Sequence, residues 1–289
     1  MPSLKDLRGR IQSVKSTRQI TKTMKMVAAA KMRKAQDACE KSRPYSDALL
    51  RVLTDLAKGM NSESAPLLMR GRDTVNTVRI VVFGSDRGLC GGFNAQVGRK
   101  VRLMIEEQEK LGRQVELVTV GKKAREEMRI THPKHIVKSY DDIGKSGQYS
   151  FCEEMGQSLR HEFEKEAFDE LHMVYARFES VISQIPTPVQ LIPFKADAEQ
   201  GNSHASADYE PGEEAVLGTL LPLNISTQLF RGLLESQASE QGARMSAMDN
   251  ATRNAGDMIK KLSLKYNRQR QAAITTEMIE IVSGAEAAV

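Results

Sequence analysis

The sequence predicts an α/β fold class: an antiparallel coiled coil of the N- and C-terminal helices plus a central Rossmann-like α/β domain. Three observations carry this expectation. Both ends show sustained helical patterning, while the middle alternates strand, glycine-rich loop, helix and strand. Only 5% of the 289 residues are aromatic, Trp is absent and Met numbers 14, which suits helix-rich packing better than a β-sandwich. The expected organisation is 1–59 as the N-terminal coiled-coil helix, 75–195 as the central α/β domain, 196–210 as a flexible connection and 211–289 as the C-terminal coiled-coil helix.

The N-terminal helix opens at Ser3-Leu4-Lys5-Asp6, where a hydroxyl and a carboxylate stand at capping-box spacing. Leu4, Leu7, Ile11 and Val14 then follow a 3-4-3 seam that continues through Arg18, Thr21, Lys25, Ala28, Met32, Ala35 and Cys39. A seam that turns small and polar predicts a close partner helix with further subunits around it. Pro44 removes an amide and predicts a kink or an end there. From Tyr45 a helical pattern resumes to about Gly59. Residues 1–43 hold twelve Lys and Arg against three Asp and Glu, a net +9, while the whole chain carries only +5. So basic a segment is either a solvated helix face or a surface for an acidic partner: nucleic acid, anionic lipid or an acidic protein rim.

In the middle, Val78–Phe83 reads as a buried strand, followed by a helix over about 94–111 and a strand at Val115–Val120, a βαβ unit. A short helix at Lys122–Met128, a strand near His135–Val137 and a helix over 151–168 come next. Strands at Glu170–Phe178 and Val189–Phe194 close the domain, with an antiparallel arrangement open to the last pair. The loop Gly84–Gly92 lies where a doubly wound sheet would hold a phosphate, yet it contains neither G-x-G-x-x-G nor Gly-Lys-Ser/Thr. It reads as a tight strand-to-helix turn. The five His form no H-E-x-x-H pair and no G-x-S-x-G elbow occurs, so no catalytic residue, metal ligand or cofactor is expected. Cys39, Cys90 and Cys152 are widely spaced and suggest a reducing compartment.

Toward the C-terminus, Met248, Ala251, Ala255, Met258 and Leu262 form a second seam of small and flexible residues, and Gly284 is placed to end the helix. Helices leaving one domain side by side imply a C-terminal overhang of about 20 residues, or about 30 Å. That overhang carries Ile274, Met278, Ile281 and Val282 on one stripe, which predicts that something covers it.

Three stretches resemble the gamma subunit family of F-type ATP synthase: Lys15 through Ala29, the loop Ser85 through Asn94, and Asn267 through Glu277. Ser239-Glu240-Gln241 and Ala243 through Thr252 add to a likeness that covers essentially the whole chain. The resemblance implies a non-catalytic central rotor stalk, coupling proton-driven c-ring rotation to the β subunits that make ATP. Its implied partners are the α3β3 hexamer, the epsilon subunit and the c-ring, with no nucleic acid and no small-molecule substrate of its own. It implies shaft contacts at Met24, Arg270, Gln271, Thr275 and Glu277 and foot contacts near Tyr209 and Glu210. The basic first helix would face acidic loops of the β subunits. The implied location is the cytoplasmic face of a bacterial inner membrane, peripheral to it, or the matrix side for a processed mitochondrial protein. Two departures stand out: Pro222 predicts an irregular foot end of the last helix, and the chloroplast family's regulatory cysteine pair is missing. The alternative is a basic coiled-coil nucleic-acid-binding module, against which stands the lack of aromatics interleaved with the basic residues.

Overall fold

Helix α1 (Leu4–Gly59) starts where the capping box places it: Ser3 N–H donates to Asp6 Oδ2 at 3.0 Å, and Asp6 N–H to Ser3 Oγ at 3.2 Å. Those hydrogen bonds hold the Asp6 carboxyl below its ordinary range. The computed structural model describes residues 3–59, 65–143, 148–195 and 212–286. The expected connection 196–210, with Tyr209 and Glu210, lies outside the described residues. Two units form: Met1–Ala28 with Met245–Val289, and Ala29–Arg244. Their boundaries fall inside the terminal helices.

In the second unit, a four-residue helix α2 (Leu67–Arg70) leads into β1 (Thr77–Phe83). Then follow α3 (Phe93–Lys110), β2 (Gln114–Val120), α4 (Lys122–Thr131), a 3-10 turn at Pro133–His135 and β3 (Ile136–Tyr140). Helix α5 (Gln148–Glu164), β4 (Glu170–Phe178), β5 (Gln184–Ile192) and α6 (Glu213–Glu286) complete the chain. The sheet order is β3-β2-β1-β4-β5, parallel except for the antiparallel β4–β5 pair. Strand β5 begins earlier than Val189 because Pro186 and Pro188 disguise it. Proline is tolerated on an edge strand, where a missing amide need not break a ladder.

Alternation along the strands divides the core. Val81, Phe83, Val118, Val120 and Met173 face α5 and α6, meeting Met155, Leu159, Ile225, Leu229 and Leu233. Ile80, Val82, Leu117 and Val174 face α3 and α4 through Val97, Val101, Ile105 and Met128. Arg79 interrupts this apolar strand, and its buried guanidinium is neutralised by Glu116 at 2.6 Å and by Glu162, with the Phe168 ring beneath it. Lower on the terminal helices, Leu49, Leu53 and Leu56 of α1 pack on Leu217 and Leu221 of α6.

Neither internal proline ends its helix. Pro44 lies within α1, and Pro222 lies within α6. Pro222 has no amide to give the Gly218 carbonyl, so α6 runs through it with one backbone hydrogen bond fewer. Gly284 does not cap α6 either, since the helix runs on to Glu286.

Leu229, 0% exposed between α6 and the sheet, should be sensitive to truncation. Leu229→Ala is expected to cost about 2–5 kcal/mol in chemical denaturation, against less than about 0.5 kcal/mol for Ile182→Ala on the surface.

Candidate functional site

Within the first unit the two terminal helices pair antiparallel. Lys25 Nζ donates to Asp249 Oδ1 at 2.6 Å, Thr252 Oγ1 meets Thr21 Oγ1 at 2.8 Å, and Gly256 faces Arg18. Every fully buried residue between Leu4 and Cys39 lies on the expected seam: Leu7, Thr21, Ala28, Met32 and Cys39. On α6 the seam departs from expectation. Met248 and Ala255 are buried, but Met258 is 52% exposed and Ile259 turns inward instead. The Thr252–Thr21 hydroxyl contact explains the shift, because a 4-3-4 spacing from Met248 through Thr252 leads to Ile259.

The register extrapolates Leu4 to about residue 270 of α6, so about 16 residues, some 24 Å, run past the start of α1. This overhang is somewhat shorter than the sequence suggests. Its apolar side chains are bare: Ile274 50%, Met278 62%, Ile281 72% and Val282 52% exposed.

The structure brings four of the expected shaft residues together and leaves one apart. Arg270, Gln271, Thr275 and Glu277 lie within about two turns of α6, all exposed. Among the described residues only Thr275 of these four shows a side-chain bond, to the Gln271 carbonyl at 2.9 Å. Met24 is half-buried on α1, about 20 residues or 30 Å along the pair, beside exposed Ile20, Met26 and Val27. Of the seven cations before Ala29, only Lys25 forms an ion pair among the described residues.

The glycine loop is a built turn. Gly84 approaches α4 so closely that a Cβ would fall 2.6 Å from that of Ala124. Buried Ser85 donates its hydroxyl to the Arg87 carbonyl at 2.9 Å, and Asn94 Nδ2 donates back to Ser85 Oγ at 2.8 Å. Asp86 Oδ1 accepts the amides of Lys122 and Asp142, each at 3.1 Å, which places a carboxylate where a phosphate would otherwise sit. Sequence reasoning missed the far partner of this loop. Arg244 of α6 donates to the carbonyls of Arg87 at 3.1 Å and Gly88 at 3.3 Å, while pairing with Glu240 at 2.6 Å. Burial pushes the Glu240 carboxyl above its ordinary value, with Arg244 opposing. Only the adjacency of Ser239-Glu240-Gln241 and Ala243-Arg244 in one motif hinted at it.

Beside the loop lies an open cleft of about 450 Å³ with a floor of Ala35, Ala38, Leu233 and Leu234. Lys31, Lys34 and Arg87 stand at its rim with no side-chain ion pair among the described residues. No grouping of three or more His, Cys, Asp or Glu suited to a metal occurs among the described residues. All three cysteines are free and buried, and burial raises the Cys39 and Cys152 thiols to about 11 and about 12. No helix of the described residues is long and apolar enough to cross a membrane.

Fold and surface together define a class: a Rossmann-like α/β domain packed on the helices of both its chain ends. A sequence model for the family described as ATP synthase matches residues 3–288. The ATP synthase gamma chain of Jannaschia sp. is 50% identical, over 99% of this chain and 100% of its own. That of Fuscovulum blasticum is 51% identical with the same coverage. The chain belongs to this family, as a gamma chain. Among solved structures, the rotor of Euglena gracilis mitochondrial ATP synthase superposes with a TM-score of 0.66 at 19% identity, covering 94% of this chain and 98% of that one. The central stalk and c-ring structure of the Tetrahymena thermophila mitochondrial enzyme gives a TM-score of 0.61 at 24% identity, covering 80% and 99%. These two show the fold. The family match runs through the basic helix on which the nucleic-acid alternative rested.

Hydrogen bonding from Lys25 holds the Asp249 carboxyl below the ordinary aspartate value of 3.8, helped by the charges of Lys25 and Arg253. A depressed carboxyl stabilises the fold above that value and loses the contribution as pH falls through its folded midpoint. A carboxyl NMR titration should place Asp249 below 3.8, and Lys25→Ala should move it back up.

Proposed function

We propose that this chain is the central stalk of the F1 rotor, coupling proton-driven rotation of a c-ring to the conformational cycle of catalytic β subunits. The observation that carries the reading is the bare apolar tip of α6. A helix end in water gains nothing from leaving Ile274, Met278, Ile281 and Val282 exposed, so an apolar sleeve of a surrounding complex is their natural environment. The family supports an α3β3 hexamer as that complex, with the c-ring and epsilon subunit at the other end. The neighbouring structures, a rotor and a stalk with its c-ring, agree with such partners.

The chain is non-catalytic by itself and peripheral to the membrane, on the cytoplasmic face in a bacterium or the matrix side in a mitochondrion. It acts by differential contact. Three catalytic sites that meet different sides of an asymmetric axle are biased toward different affinities, and turning the axle passes each bias to the next site. Arg270, Gln271, Thr275 and Glu277 serve as polar contacts of the tip, and Met24 as a contact farther down. Tyr209 and Glu210 serve the foot. Lys31, Lys34 and Arg87, which have no side-chain ion pair among the described residues, suit acidic loops at the base of the hexamer.

Native mass spectrometry of the chain mixed with α and β subunits of its own organism tests this directly. One copy per α3β3 hexamer is expected; a chain that stays free or pairs with itself overturns the reading. Met24→Lys should leave folding within about 1 kcal/mol, since the site is half-exposed, while lowering proton pumping per ATP. Fully coupled pumping in that variant would remove Met24 from the shaft contacts.

A further inference from the structure

A buried carboxylate normally finds a donor for each oxygen, because leaving one unpaired costs more than a single hydrogen bond returns. Glu235 departs from this rule. It is 3% exposed on α6, its Oε1 accepts from Arg231 Nε at 3.4 Å, and its Oε2 is buried with no hydrogen-bond partner among the described residues. Arg231 is itself shared, since its Nη1 also pairs with Asp47 of α1 at 3.3 Å. Glu235 lines a cleft of about 240 Å³ together with Cys39, Glu40 and Arg43 of α1, and with Phe178 and Glu179 where β4 ends. A space of that size holds several waters or one long side chain.

Charge around the cleft is unbalanced. Glu40, Asp47, Glu179 and Glu235 bring four carboxylates, against the three guanidiniums of Arg43, Arg177 and Arg231. Glu179 is satisfied by Arg177 at 2.9 Å and by the Ser183 hydroxyl at 3.1 Å, whereas exposed Glu40 has no ion pair among the described residues. The field of Glu235 reaches its neighbours: after burial, its charge is the next cause that raises the Cys39 thiol and the Tyr175 hydroxyl. The lining is not a metal-ligand grouping, so the ligand that suits it is a cation that donates N–H bonds. We propose that this cleft binds one organic cation, an alkylammonium or alkylguanidinium, held by Glu235 and Glu40. A small amine and a basic side chain of a neighbouring subunit present the same chemistry. Exposed Arg43, also without an ion pair among the described residues, is the internal competitor for the place.

The test uses the full-length chain with n-butylguanidinium as the probe and neutral n-butylurea as its control, read by saturation-transfer NMR. The guanidinium should bind with a Kd of about 1 mM and the urea about tenfold more weakly. Glu235→Gln keeps the shape of the side chain and should weaken guanidinium binding about tenfold. Glu40→Gln, at an exposed position, should weaken it about threefold, and it decides the matter with the urea control if Glu235→Gln does not fold. Equal binding of the two probes, parental binding in both variants, or no binding at all means that water alone meets Glu235, and overturns the site. Binding that appears only in Arg43→Gln means that Arg43 fills the cleft itself, and overturns it as well. In the complex with α and β subunits, retained binding assigns the site to a free amine or guanidine. Loss of binding there assigns it to a basic side chain of those subunits, and Glu235→Gln should then weaken assembly. The free-chain measurements do not depend on the rotor reading, so a chain that fails to assemble would overturn that reading and leave the cleft standing.

Discussion

Helix α6 meets two different packing demands within one helix, Glu213–Glu286. Its first half must fill the space beside a sheet, which it does with large side chains: Leu217, Leu221, Ile225, Leu229 and Leu233. Its second half must lie against a single helix, which it does with Met248, Thr252 and Ala255. Large residues fill a wide groove, whereas small ones allow two axes to approach near the short end of the 8–10 Å range. Both tasks must be met without a break, because a break would free the second half from the first. This explains how Pro222 can be tolerated: the apolar face on either side of it is buried, and that burial outweighs a cost of about 3 kcal/mol for an internal proline.

Much of this was legible because periodicity is a local property. Every buried residue between Leu4 and Cys39 falls on the 3-4 spacing, including the polar position Thr21, while Arg18 on the same spacing is exposed. Where the reading failed, a non-local interaction had intervened. The Thr21–Thr252 contact joins residues 231 apart and turns Met258 outward, although Met258 has the better apolar side chain. The first half of strand β5 is hidden in the sequence because Pro186 and Pro188 argue against a strand anywhere but at an edge, which is where β5 lies. Helix-ending signals at Pro44 and Gly284 were overridden in the same way, since propensity is weaker than a buried face or a continuing ladder.

The candidate contact residues were a different matter. Arg270, Gln271 and Glu277 are exposed and show no side-chain bond among the described residues, so they leave no trace in periodicity or burial. A residue whose partner is another molecule looks like any solvated side chain when read alone, and only the likeness to a family singled these out. The apolar tip was legible for the opposite reason. Four bare aliphatic side chains on a helix end are anomalous in water, and an anomaly points to a missing surface without naming it.

The Rossmann-like sheet carries a further lesson. In doubly wound folds the ligand sits at the carboxyl edge of the strands, where loops diverge and helix N-termini present free amides. Here Asp86 brings a carboxylate to that edge and binds two amides with it, and the Arg87 and Gly88 carbonyls accept from a helix near the end of the chain. The glycines remain necessary, but for close approach of backbone to backbone: a Cβ on Gly121 would stand 2.7 Å from the Gly84 carbonyl oxygen. The loop that would hold a phosphate in an enzyme thus grips another part of the same chain. A glycine-rich turn after the first strand therefore identifies a place where something is held closely, and the charge and hydrogen-bond partners around it decide whether that is a ligand or a helix.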